Sequence, residues 1–172
     1  MRPQTRQQTR QATRRALFLA AGLAVLATLG WSVRDFEALM AAGDVVLLDL
    51  APVDPRSLIQ GDYMRLSFAL ERQEIRLDAP AGTIILGLDE RRVGRFRRLG
   101  STGAAGQGEI AFRVRRAGSG DGVTVEPHSF LFQEGQADLY AKAKYGLFRV
   151  DANGRHLLVG LADADARKIE PH

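Results

Sequence analysis

Eighteen consecutive residues without a charge, Ala16–Val33 (ALFLAAGLAVLATLGWSV), constrain this chain more than any other feature. As a helix rising ~1.5 Å per residue the run covers ~27 Å, against a hydrocarbon core of about 30 Å. It has no polar face, so it reads as a transmembrane helix rather than a soluble amphipathic one. Trp31 stands at its far end, where an indole suits the interface. Arg2, Arg6, Arg10, Arg14 and Arg15 precede the run, and only Arg34 follows before acids begin at Asp35. The positive-inside rule makes residues 1–15 a cytoplasmic basic tail and 16–33 the span, and carries the rest across. A cleaved signal peptide is the competing reading. The run exceeds an h-region of about 7–15 residues, and Met40-Ala41-Ala42 is a poor cleavage site, so an uncleaved signal-anchor is expected.

The charge is uneven. Of 24 basic residues six lie in 1–34, where no acid stands, which leaves 18 basic against 20 acidic residues beyond. The sequence pI near 9.9 therefore belongs to the tail, and nucleic-acid binding by the folded part is not expected. Cysteine is absent, which excludes disulfides, thiolate chemistry and Cys-zinc sites. The simplest setting is a bacterial inner membrane with the C-terminal domain in the periplasm.

Past the span, residues 34–44 read as a short helical linker, with Asp35–Ala42 helical and Gly43 suited to end it. A β domain over 45–162 follows. Val45–Leu50 is a short apolar run. Tyr63–Leu70 alternates, with Met64, Leu66, Phe68 and Leu70 on one face and Tyr63, Arg65, Ser67 and Ala69 on the other, which predicts a half-buried strand. Further strands are expected at Thr83–Leu88, Glu109–Arg116, Val123–Val125 and Ser129–Phe132, with Gly-rich loops at Ser101–Gly108 and Ala117–Gly122. Leu147–Val150 and His156–Leu161 flank Asp151-Ala152-Asn153-Gly154, a hairpin signal. Residues 163–172 read as a frayed polar tail. Many short strands between turn residues imply a mainly β fold, a compact antiparallel sandwich or small barrel with short helical turns.

Between the first two strands lies the densest cluster of distinctive residues. Asp54-Pro55 suits an N-cap and first helical position, and Gly61 suits the end of a single turn over Ser57–Gln60. That reading covers Asp54, Pro55 and Gly61, and leaves Arg56, Asp62 and Tyr63, with Arg56 free to pair with Asp62. Gly61-Asp62-Tyr63-Met64-Arg65-Leu66-Ser67-Phe68 resembles the GDYXXLXY protein family, with Phe68 in place of the final Tyr. Pro52-Val53-Asp54-Pro55-Arg56, Glu134-Gly135 and the last hairpin are similar to the family too. The resemblance implies a small membrane-anchored protein that accompanies a multi-pass membrane partner, and carries over no catalytic residue.

Enzyme signatures are weak. His128, His156 and His172 form no zinc spacing, and no Gly-x-Ser-x-Gly elbow or phosphate loop occurs. The order Pro55, Leu58, Gly61-Asp62 echoes membrane-anchored signal peptidases. However, Pro52 stands where their nucleophile would be, Ser57 sits within the turn, and Lys142 and Lys144 alternate with alanines as if facing water. An Asp62–Glu134 carboxylate pair would need both groups in one cleft. Arg91, Arg92, Arg95, Arg97 and Arg98, with Arg113, Arg115 and Arg116, form either a basic patch for anionic headgroups or a solvated face balanced by Asp89, Glu90 and Glu109. No catalytic residue, metal site or cofactor is expected. The expectation is a non-enzymatic accessory subunit of a multi-pass membrane protein. A periplasmic ligand- or lipid-binding module is the second reading and a membrane-anchored hydrolase the third.

Overall fold

The computed structural model describes residues 4–51, 63–118 and 122–171, with side chains from Leu17 onward. The chain divides into two compact units, residues 1–38 and 39–172. Most of the first unit is one helix, α1 (Gln4–Ala42), whose end lies in the second. Asp35–Ala42 continues the apolar run without a break. Leu17, Phe18, Leu23, Leu26 and Trp31 all stand exposed along it, and the helix is long and apolar enough to cross a membrane.

The second unit is mainly β, with nine strands among the described residues. They are β1 (Asp44–Asp49), β2 (Tyr63–Arg65), β3 (Ala81–Leu88), β4 (Gly94–Gly100), β5 (Glu109–Arg116), β6 (Val123–Thr124), β7 (Ser129–Leu131), β8 (Tyr145–Val150) and β9 (His156–Ala162). They form antiparallel sheets ordered β4-β3-β5-β6, β1-β8-β9 and β2-β7. The first two sheets touch where Leu47 N–H donates to Arg92 O at 2.9 Å, and again where Arg113 N–H donates to Gly154 O at 2.9 Å. Among the described residues they do not close into a barrel.

The core lies between the sheets and is dominated by Phe68, Phe112 and Phe148, none with exposed surface. The Phe148 ring sits 5.5 Å from Phe68 and 5.6 Å from Phe112, centroid to centroid, in tilted and edge-on arrangements. Gly146 makes this possible. A Cβ there would lie 2.8 Å from the Phe68 ring and 3.1 Å from that of Phe148. The Asp151–Gly154 turn is built as expected. Gly154 adopts φ +75°, and a Cβ on it would press 3.2 Å from the Ala111 backbone.

Three expectations need correction. The strand predicted over Tyr63–Leu70 stops at Arg65, and Ala69–Arg72 forms a 3-10 turn. The burial alternation nevertheless persists, with Met64, Leu66, Phe68 and Leu70 all buried. The strand ends because the Phe68 N–H donates to the Glu71 carboxylate at 3.0 Å, a cap that turns the chain. The arginine-rich 94–100 segment, not predicted as a strand, is β4, with Phe96 half-buried and a bulge opposite Ile85/Leu86. The tail is not frayed. Ile169 N–H donates to Leu161 O at 2.8 Å, and its side chain is buried. The helical turn expected at 54–60 lies outside the described residues, as do residues 119–121 of the second Gly-rich loop.

Candidate functional site

The signature residues divide between core and surface. Leu66 is 4% exposed and Phe68 fully buried, so these two positions serve packing. With its ring enclosed by Phe148 and Gly146, Phe68 needs no hydroxyl, which fits phenylalanine at the motif's last position. Tyr63 is different. It pairs directly with Leu131 across β2 and β7, and the two are 40% and 76% exposed. Between them on the chain, Met64 and its partner Phe130 turn inward. The β2–β7 ribbon thus shows an aromatic and an aliphatic side chain to the outside. Asp54, Pro55, Arg56, Gly61 and Asp62 lie outside the described residues.

Glu71 sets the shape of this region, and sequence reasoning missed it. Its Oε2 accepts from Phe68 N–H at 3.0 Å and from the Ser67 hydroxyl at 3.4 Å. Its Oε1 accepts from Val125 N–H at 2.9 Å and from the Thr124 hydroxyl at 3.2 Å. One half-buried carboxylate therefore ties the end of the motif to β6. A Glu three residues after the cap position was the available signal.

Beside the motif a hollow of about 230 Å³ is lined by Leu50, Met64, Arg65, Ser67, Tyr140 and Lys144. Tyr140 ends a short helix, α2 (Ala137–Tyr140), and packs its ring 5.1 Å from Phe130 and 5.2 Å from Phe132. Lys144 is half exposed, with its ammonium 4.0 Å from Asp49. Lys142 is exposed as well. Glu134 and Gly135 stand exposed in the turn before α2, with Gly135 at φ +84°. The hollow mixes polar and apolar walls and is not a deep apolar pocket.

The five clustered arginines are all exposed and differ in their partners. Arg91 donates to Ala164 O at 2.6 Å, and Arg92 binds Val45 O at 3.1 Å and Asp44 at 2.6 Å. Arg98 pairs with Glu109 at 2.6 Å. That hydrogen bond, aided by Gly106 N–H, lowers the Glu109 carboxyl to about 2 and raises Arg98. Arg95 and Arg97 form no hydrogen bond or ion pair with a described residue. Three of the five arginines thus bond to groups of the same domain while staying exposed.

His156, a hairpin residue without zinc-ligand spacing, opens β9. Its ring lies flat on Phe112, 4.0 Å between centroids and 12° between planes, with Phe148 edge-on at 5.4 Å. Burial pushes its pKa below the ordinary value, against the opposing pull of the Gly154 and Glu126 carbonyls. Among the described residues no three His, Asp or Glu side chains converge as metal ligands would.

Among the described residues, one helix able to cross a membrane, followed by an antiparallel β domain that exposes Tyr63 and buries Leu66 and Phe68, defines the class of this protein. The model of the GDYXXLXY protein family matches residues 25–161, and the chain belongs to that family. Among curated proteins and among solved structures, nothing matches the chain.

Proposed function

We propose that this protein is a signal-anchored, single-pass protein of a bacterial inner membrane, with its β domain in the periplasm. It serves there as a non-enzymatic accessory subunit of a multi-pass membrane protein. The observation that carries the reading is the exposed Tyr63–Leu131 pair on the motif ribbon. Tyrosine beside a large aliphatic group is the kind of surface that anchors a protein interface, because it buries much apolar area and keeps a polar tip. The mixed, shallow hollow beside the motif speaks less for a small-molecule pocket, which is commonly concave and mostly apolar. The arginine-rich tail and uncharged run support the orientation.

The test is purification of the tagged, chromosomally expressed protein in a gentle detergent, with mass spectrometry of what accompanies it. A stoichiometric multi-pass protein that is lost in Tyr63→Ser supports the reading. A solitary protein, or a partner indifferent to Tyr63→Ser and Leu131→Ser together, overturns it.

A further inference from the structure

Strand β5 meets the β8–β9 turn where Arg113 N–H donates to Gly154 O. A cleft of about 280 Å³ opens there, lined by Ala81, Arg113, Arg115, Thr124, Glu126 and His156 among others. The sequence makes the hollow. Arg113 and Arg115 are two apart on one strand and so share a face. Their partners on β3 are Thr83 and Ala81, and Arg115 faces Thr124 on β6. Small side chains beside two long ones leave a concave floor.

The polar groups around the cleft are unequal. The Thr124 hydroxyl is committed to Glu71 at 3.2 Å, and the His156 ring nitrogens face the carbonyls of Gly154 and Glu126 at 3.5 and 3.3 Å. The two guanidiniums are not used up. Arg113 Nε donates to Asn153 O at 3.0 Å, which steadies the side chain, while the outer nitrogens carry no bond to a described residue. Arg115 meets Glu126 at 3.4 Å in a pair whose side chains are 66% and 57% exposed. A long, solvated pair of that kind is worth little and is readily exchanged. A guanidinium offers five donors in a planar fork that fits two oxygens of one acid group.

We propose that this cleft binds a small ligand through an oxyanion, a carboxylate or a phosphate, with Arg113 and Arg115 as its two binding residues. Glu126 occupies Arg115 in the empty state and gives way to the ligand. The site is separate from the Tyr63–Leu131 surface and does not depend on it.

Calorimetric titration of the full-length protein in non-ionic detergent, with inorganic phosphate and with succinate at matched ionic strength, tests this. Saturable binding of at least one is expected, and the one that saturates identifies the acid class. Arg115→Gln, which alters only an exposed pair, should weaken binding about tenfold, the loss of one charge-assisted contact. Glu126→Gln should tighten it, and Arg95→Gln, on a distant unpaired arginine, should leave it unchanged. The proposal is overturned if neither probe saturates, if Glu126→Gln weakens binding, or if Arg95→Gln matches Arg115→Gln, which would mean diffuse charge attraction.

Discussion

The Glu71 carboxylate accepts the backbone N–H of Val125 at 2.9 Å, joining two residues 54 positions apart in the chain. The same group caps the 3-10 turn that ends the motif, through Phe68 N–H. Removing it leaves two backbone donors near the core without partners. Glu71→Ala should therefore cost about 2–4 kcal/mol, and Glu71→Gln, which keeps one acceptor oxygen, about 1–2 kcal/mol. Thermal unfolding of the full-length protein in detergent reads both, and equal losses would contradict the two-sided role of the carboxylate.

Gly146 lets the Phe68 and Phe148 rings pack against the strand backbone. A methyl group there would stand 2.8 Å from an enclosed ring that has no room to yield. Gly146→Ala should destabilise by about 1–3 kcal/mol, the usual penalty of overpacking. Phe68→Tyr probes the same contact, since it restores the family's residue and adds a hydroxyl to a fully buried site. It should lower the unfolding midpoint, and an unchanged midpoint would show that the site has room.

Acid should weaken the domain in two stages. His156 is held neutral by burial, so its native pKa lies below the unfolded value near 6.5. The unfolded chain then binds the proton more readily. The contribution is complete above that value and is lost as pH falls toward the lowered native one. Glu109, at about 2 in the fold against 4.5 ordinarily, contributes fully above 4.5 and loses this as pH falls toward 2. Unfolding midpoints measured from pH 8 to pH 3 should decline first near neutrality and again in acid. His156→Phe, which keeps the ring stack, should remove the first decline, and Glu109→Gln should reduce the second. A midpoint flat from pH 8 to pH 5 would contradict the His156 account.

The exposed ribbon residues should be dispensable for folding. Tyr63→Ser and Leu131→Ser should each shift stability by only about 0.5 kcal/mol, as surface changes do. A large loss for either would move the motif tyrosine from recognition to structure.

What the sequence made legible follows from where local pattern and burial agree. The span was legible because no charge interrupts residues 16–33, and β5 because Ile110, Phe112 and Val114 alternate with arginines. The final hairpin was legible from Asn153-Gly154. β4 was hidden because five arginines dominate it and its surroundings. Only Phe96 points to the core, and a bulge breaks the alternation near Arg97. The early end of β2 was hidden because the alternation that marks a strand also survives into a capped turn. At the candidate site, the burial of Leu66 and Phe68 was legible from the alternation with Met64 and Leu70. The partnership of Tyr63 with Leu131 depends on strand pairing across 68 residues, which no local pattern encodes. The tie from Glu71 to Thr124 and Val125 and the stacking of His156 on Phe112 were hidden for the same reason, since those partners are far along the chain.

The central claim is that the Tyr63–Leu131 surface meets a membrane partner. A photo-crosslinking amino acid placed at Leu131 in the full-length protein, in growing cells, tests it most directly, with the same probe at Arg95 as comparison. The account predicts a crosslink from Leu131 to one multi-pass membrane protein, absent from Arg95 and lost in Tyr63→Ser. No crosslinked polypeptide at Leu131, or the same products from both positions, would contradict it.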